Sequence, residues 1–178
     1  MNYATIKKFD VANGPGVRVS LFVSGCRHRC PGCFNREAWD FSYGAPFTEA
    51  IQQEILQALS PSYIRGLSLL GGEPFEPENQ RELLPFLDRV RVSVPEKDVW
   101  CYSGFTLEEL QGNSRGHCEE TEQMLSRIDV LVDGRFEESQ KDIRLRFRGS
   151  ENQRILDLAA TLRQKKNVFW NSGEENEG

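Results

Sequence analysis

Short apolar runs, each closed by a glycine or polar turn and followed by a helical pattern, recur four times along this chain. That alternation limits what it can fold into more than any other feature. Residues 17–23 read Val-Arg-Val-Ser-Leu-Phe-Val, β-branched and aromatic, and predict a strand. Residues 66–70, 99–102 and 128–132 predict three more. Between them the helical period of 3.6 takes over. Over 46–59, Ile51, Ile55 and Leu59 share a face behind Thr48 as cap. Over 78–94, Leu83, Leu84, Phe86, Leu87 and Val90 recur around Pro85, which predicts a kink or break. Thr106 opens a short helix through Leu110, residues 111–118 read as a loop, and residues 119–127 close the series with another helix. Parallel strands need crossover connections, and helices supply them here, so the pattern predicts βαβ units. A closed eight-unit barrel takes about 250 residues; this chain has 178. The expected fold class is therefore α/β, an open or partial parallel β/α barrel in one domain over residues 1–170.

The remainder is read more locally. Residues 143–148 alternate Ile143, Leu145 and Phe147 with Arg144, Arg146 and Arg148. A half-buried edge strand is expected, its arginines either facing water as protection against edge pairing or contacting an anion or partner protein. A helix is expected over 150–166, with Ile155, Leu158, Ala159 and Leu162 inward, and a disordered acidic tail over 171–178. Hydrophobic residues make up 38% and charged residues 28%, enough for one buried core. A net charge of −5 offers no global basic field for nucleic acid. No apolar run approaches the roughly 18 residues of a membrane span, and residues 1–10 lack a signal-peptide apolar core. Five cysteines, three of them clustered, suit a reducing cytoplasm better than a disulfide framework.

The turns that end the expected strands carry the unusual residues: Cys26, Gly72, Ser103 and Asp133. Ligands of parallel α/β folds bind at the carboxyl ends of the strands, so these positions converge on one edge. The first turn is Cys26-Arg27-His28-Arg29-Cys30-Pro31-Gly32-Cys33, three thiols spaced C-x3-C-x2-C. A closed zinc site takes four ligands, and a [4Fe-4S] cluster has four irons to ligate. Three thiolates on such a cluster leave one iron open. Other readings stand beside this one. Zinc could be completed by His28 or by His117, or the thiols could be inert or disulfide-bonded. An electron-transfer cluster could recruit Cys101 or Cys118. Otherwise His28 reads as a solvated loop residue, Cys101 as a core thiol, Cys118 as a loop thiol, and Trp39, Trp100 and Trp170 as packing.

With its flanks, Asn13-Gly14-Pro15-Gly16, Leu21-Phe22-Val23-Ser24-Gly25-Cys26 and Cys33-Phe34-Asn35, the cysteine run resembles the radical S-adenosylmethionine (SAM) superfamily. Within it, the chain is similar to the activases of anaerobic (class III) ribonucleotide reductases, from about residue 1 to residue 153. The resemblance implies a radical SAM type of partial barrel and a [4Fe-4S] cluster on Cys26, Cys30 and Cys33, with SAM chelating the open iron. It implies that Gly71-Gly72-Glu73 holds the amino group of SAM, the alternative being a plain βα turn. It places Gly32, Cys33 and Phe34 near the adenine; Gly32 stands where much of the superfamily has an aromatic, and whether Phe34 stacks or gives backbone contacts stays open. It gives Asp133 and Arg135 to SAM as well, Arg135 reaching its carboxylate or ribose, against a turn aspartate and a surface arginine. The implied reaction is one-electron cleavage of SAM to methionine and a 5'-deoxyadenosyl radical that takes a hydrogen from a glycine Cα. The implied partners are the large catalytic subunit of the reductase and a flavodoxin-type or other low-potential electron donor. A chain this short leaves little length to enclose a substrate, so a protein segment entering an open barrel is expected. The alternatives are activation of another glycyl-radical enzyme of the pyruvate formate-lyase type, a small-molecule radical SAM enzyme, and a non-catalytic iron-sulfur or zinc module.

Overall fold

A computed structural model describes residues 1–172; the expected acidic tail lies outside the described residues from 173 onward. The chain runs through β1 (Asn2–Asp10), β2 (Val17–Val23), β3 (Ala45–Pro46), α1 (Glu49–Leu59), β4 (Ile64–Gly71), α2 (Pro77–Ser93), β5 (Asp98–Ser103), α3 (Leu107–Gln111), α4 (Thr121–Leu125), β6 (Val130–Asp133), β7 (Arg154–Asp157) and α5 (Leu158–Gln164). Its strands form one sheet in the order β3-β1-β2-β4-β5-β6-β7. The four expected strands, β2, β4, β5 and β6, are its parallel centre. Antiparallel strands flank them, β1 and β3 on one side and β7 on the other.

Alternation along each strand sorts the two faces. Val19, Leu21, Leu67, Leu69, Val99, Cys101 and Leu131 point to the helices and are buried with Ile55 and Leu59 of α1 and Leu83, Phe86, Leu87 and Val90 of α2. Buried residues of α3, α4 and α5 join the same core. All the helices therefore cover one face of an open, mostly parallel sheet, the partial barrel expected. The other face carries Trp100, Val130 and Val132, against which Phe147 and Trp170 pack. Arg18 is wholly buried there. It donates to Ser68 Oγ (2.7 Å), the Leu67 carbonyl (2.9 Å) and Asp98 (2.6 Å), the pairing a buried guanidinium requires.

One strand is additional and two expectations are corrected. The strand β1 gives no strand signal in the sequence, because Lys7, Lys8 and the exposed Phe9 blur its alternation; it is held as the antiparallel neighbour of β2. Residues 150–166 are not one helix: β7 comes first and α5 follows, capped by Asp157, whose carboxylate accepts the Ala160 amide (2.9 Å). The open edge of β6 needs a partner for its backbone groups, and β7 provides it, sending Leu156 into the helix-side core and Ile155 to the other face. As a result Ala159 is exposed and Ala160 buried. Residues 143–148 form turns and no strand. Phe147 has a φ of +61° and packs edge-on to Trp100 (5.5 Å between centroids), and Ile143 is 91% exposed. Arg144 pairs with Asp142 (2.7 Å).

Elsewhere the differences are small. Thr48 caps α1 as expected, its hydroxyl accepting the Ile51 amide, though the helix starts at Glu49. Pro85 neither breaks nor ends α2. No helix of the described residues is long and apolar enough to cross a membrane.

Candidate metal and cofactor site

The cysteine loop leaves the carboxyl end of β2 and is pinned at its root. The Gly25 amide donates to the Ala38 carbonyl (2.8 Å) and the Cys26 amide to the Trp39 carbonyl (3.2 Å). Arg29 (φ +52°) and Gly32 (φ +75°) are both left-handed, and the Cys33 amide closes a turn onto the Cys30 carbonyl (3.1 Å). The path therefore curls back on itself. Cys26, Cys30 and Cys33 are free thiols, each partly exposed. Burial, reinforced by the negative charge of Glu73, pushes the Cys26 thiol up to about 12. Burial also raises Cys30. Thiolates at these positions need a cation to displace the protons, which iron does.

The Gly-Gly-Glu turn at the end of β4 lies directly against this loop. The Gly72 amide donates to the Val23 carbonyl (2.7 Å) and the Glu73 amide to the Gly25 carbonyl (2.8 Å). Gly71 has a φ of +114°, and a Cβ there would stand 2.6 Å from the Val23 backbone N and O. Asn79, in the first turn of α2, donates through Nδ2 to the carbonyls of both Ser24 (3.0 Å) and Glu73 (2.9 Å), clamping the two turns together.

Glu73 is 1% exposed, and its carboxylate is saturated. Oε1 accepts the Phe75 amide (2.8 Å) and Ser103 Oγ (2.9 Å). Oε2 accepts the Gly104 amide (2.7 Å) and meets His28 Nε2 (2.8 Å). A carboxylate has about four acceptor sites, and all four are filled.

His28 is not the solvated loop residue expected. Its side chain is 2% exposed and packs edge-on to Phe105 at 4.4 Å. Its Nδ1 faces Arg115 Nη2 at 3.1 Å. Arg115 also pairs with Glu76 (2.6 Å), a buried carboxylate that accepts the Arg27 amide (2.8 Å) and guanidinium (2.6 Å). The cysteine loop is thus fastened to the start of α2 and to the loop after α3. Sequence reading missed Glu76, Arg115 and Gly104; the signal available was a histidine inside the cysteine run with acids at 73 and 76, three apart.

The other candidates separate. Asp133 is fully buried and committed to the Leu107 amide (2.8 Å) and Arg154 Nε (2.9 Å). Arg135 pairs with Glu109 (3.1 Å), with 46% of its side chain exposed. Phe34 is 87% exposed, and Gly32 lies under the Glu138 carboxylate. Cys101 is buried in the helix-side core, and Cys118 is a loop thiol beside Thr121 Oγ1 (3.6 Å). His117 Nδ1 is engaged with the Leu110 carbonyl (2.7 Å).

This donor set fits a cluster. Both ring nitrogens of His28 are engaged, by Glu73 and Arg115, and among the described residues no three His, Cys, Asp or Glu side chains converge on one ion. A [4Fe-4S] cluster instead takes each thiolate on a different iron. Beside the thiols, Glu73 supplies a buried negative charge, which favours a ligand carrying ammonium and sulfonium groups.

Comparison with known proteins identifies the family. Residues 12–156 match a family described as a 4Fe-4S single cluster domain. The anaerobic ribonucleoside-triphosphate reductase-activating protein of Pasteurella multocida is 45% identical over 157 residues, covering 87% of this chain and 96% of its own. Its counterpart in Escherichia coli K12 is 42% identical over 160 residues, 89% of this chain and 99% of its own. That of Enterobacteria phage T4 is 41% identical over 155, 87% and 93%. At such identity over nearly the full length of each relative, the chain belongs to the family of anaerobic ribonucleoside-triphosphate reductase-activating proteins.

Proposed function

We propose that this chain activates an anaerobic ribonucleoside-triphosphate reductase, working in the cytoplasm with a low-potential electron donor of the flavodoxin type. The observation that carries the reading is the direct hydrogen bonding of the three-cysteine loop to the Gly-Gly-Glu turn at one end of the sheet, through Glu73 N and Gly25 O. When bound, a [4Fe-4S] cluster and SAM supply a one-electron cleavage whose product takes a hydrogen atom from a glycine of the reductase.

The residues divide the remaining work. Cys26, Cys30 and Cys33 hold the cluster and leave one iron for SAM. Glu73 has no acceptor site left over, so it acts on the SAM ammonium through its buried charge and by fixing Gly71 and Gly72, whose lack of side chains admits the ligand. Arg135, partly exposed beside Glu109, is the group that would meet the SAM carboxylate. Asp133 holds β6, β7 and α3 in register around it. Phe34 and Gly32 border the adenine. The helix-free face of the sheet, at the carboxyl end beyond Phe147 and Trp170, admits the glycine-bearing loop of the partner.

The test is electron paramagnetic resonance on anaerobically reconstituted, dithionite-reduced protein. A reduced-cluster signal that changes shape with SAM, then a glycyl-radical signal on adding the reductase, is expected. A cluster indifferent to SAM would overturn the reading. Cys30→Ala is expected to lose the cluster, measured as iron content, with its circular dichroism spectrum kept.

A further inference from the structure

We propose that His28 is a positioning residue, an imidazole that couples the cysteine loop to Glu73 through Nε2 and so sets the place of the open iron against the SAM-binding turn. The proposal rests on the radical SAM reading above and adds a residue to it.

Three observations carry the assignment. The first is the tautomer. A guanidinium can only donate, so Arg115 Nη2, 3.1 Å away, makes His28 Nδ1 the acceptor. The proton is then on Nε2, aimed at Glu73 Oε2 at 2.8 Å. The second is the space made for the ring. A Cβ on Gly104 would stand 2.5 Å from His28 Cδ2 and 2.7 Å from Nε2. Only glycine at that position lets the imidazole reach Glu73. The third is the partition of partners. The four donors on Glu73 are two backbone amides, a hydroxyl and the imidazole, while the guanidinium groups of Arg27 and Arg115 go to Glu76.

Asn79 holds the roots of the two turns through their carbonyls, whereas His28 is the side chain of the cysteine loop that meets the Glu73 carboxylate itself. Glu73 is joined to Ser103 and Gly104 at the end of β5 without it. His28 lies midway between Cys26 and Cys30, so its bond to Glu73 fixes the part of the loop that carries both ligands. Without that bond the thiols can still bind iron, but the cluster shifts relative to the turn.

The test compares His28→Gln with His28→Asn in reconstituted protein. Gln places an amide N–H near the Nε2 position and can donate to Glu73; Asn reaches only the Nδ1 position. Iron content and the reduced-cluster signal without SAM report the loop. The SAM concentration giving half of the change in signal shape reports the coupling. At equal iron content, His28→Gln is expected within about threefold of wild type and His28→Asn at about tenfold more SAM or higher, the size of one charge-assisted hydrogen bond. Equal SAM requirements in the two variants would overturn the proposal, as would loss of the cluster in both. If wild type itself shows no SAM-dependent change, the radical SAM reading fails instead. A wild-type response with both variants unaltered removes only the role of His28.

Discussion

At Gly71 the demands of backbone and ligand coincide. Its φ of +114° is strained for any side chain, and the space where a Cβ would go holds the Val23 backbone. Gly71→Ala is therefore expected to lower stability by about 1–3 kcal/mol from strain alone, read as a lower urea midpoint with an unchanged slope. A midpoint equal to wild type would mean that the turn relaxes freely and the close approach of β2 to β4 does not constrain it. At this scale the sequence was uneven. Cysteine spacing and a Gly-Gly-Glu turn are readable because chemistry restricts which residues can occupy them. His28 was not readable in the same way. A histidine between arginines looks solvated, and its burial depends on Phe105, Gly104 and Arg115, residues 76 to 87 positions away whose approach only the fold creates.

Among the elements, the parallel centre was legible and its edges were not. The strands β2, β4, β5 and β6 are buried on both faces, so they read as apolar runs. The flanking strand β1 breaks its alternation with consecutive lysines, Lys7 and Lys8, and β7 is four residues long within a stretch of helical periodicity. What places β7 is pairing with β6, together with Arg154, which bonds buried Asp133 and exposed Glu108 (2.6 Å). Arg154→Ala would leave the Asp133 carboxylate buried without its cation, a loss of about 3 kcal/mol at pH 7. The same arginine gives an acid signature. Its hydrogen bond holds Glu108 down to about 2, against an ordinary 4.5. The folded value is the lower one, so this contribution is fully present above about pH 4.5 and is lost as pH falls toward 2. Denaturant titrations at pH 7 and pH 3 are expected to show a smaller acid loss for Arg154→Ala than for wild type. An equal loss in the two proteins would exclude Arg154 as its source.

Across the whole molecule the inner face of the sheet is divided between a packed floor and an open mouth. Trp100 is 1% exposed, and Trp170 meets it edge-on at 4.9 Å. The segment bearing Trp170 is tied down by its amide, which donates to the Ile155 carbonyl (2.9 Å), and by a bridge from Phe169 to Leu156. Along β5, Trp100 precedes Ser103 by three residues, about 10 Å at the rise of a strand, and Ser103 is where the strand meets Glu73. The apolar plug thus closes the amino-terminal part of the partial barrel while the cysteine loop and the Gly-Gly-Glu turn stay at the carboxyl end. Trp170→Ala separates the two. It removes an aromatic contact worth about 0.5–1.5 kcal/mol beyond the area it covers, so a lower melting temperature and a red-shifted Trp100 emission are expected. Because the mouth is held by Asn79, Glu73 and the loop hydrogen bonds, none of which touches Trp170, the SAM-dependent change in the cluster signal should stay at its wild-type midpoint. A shifted midpoint would show that floor and mouth move together, and would place the plug within the machinery that positions SAM.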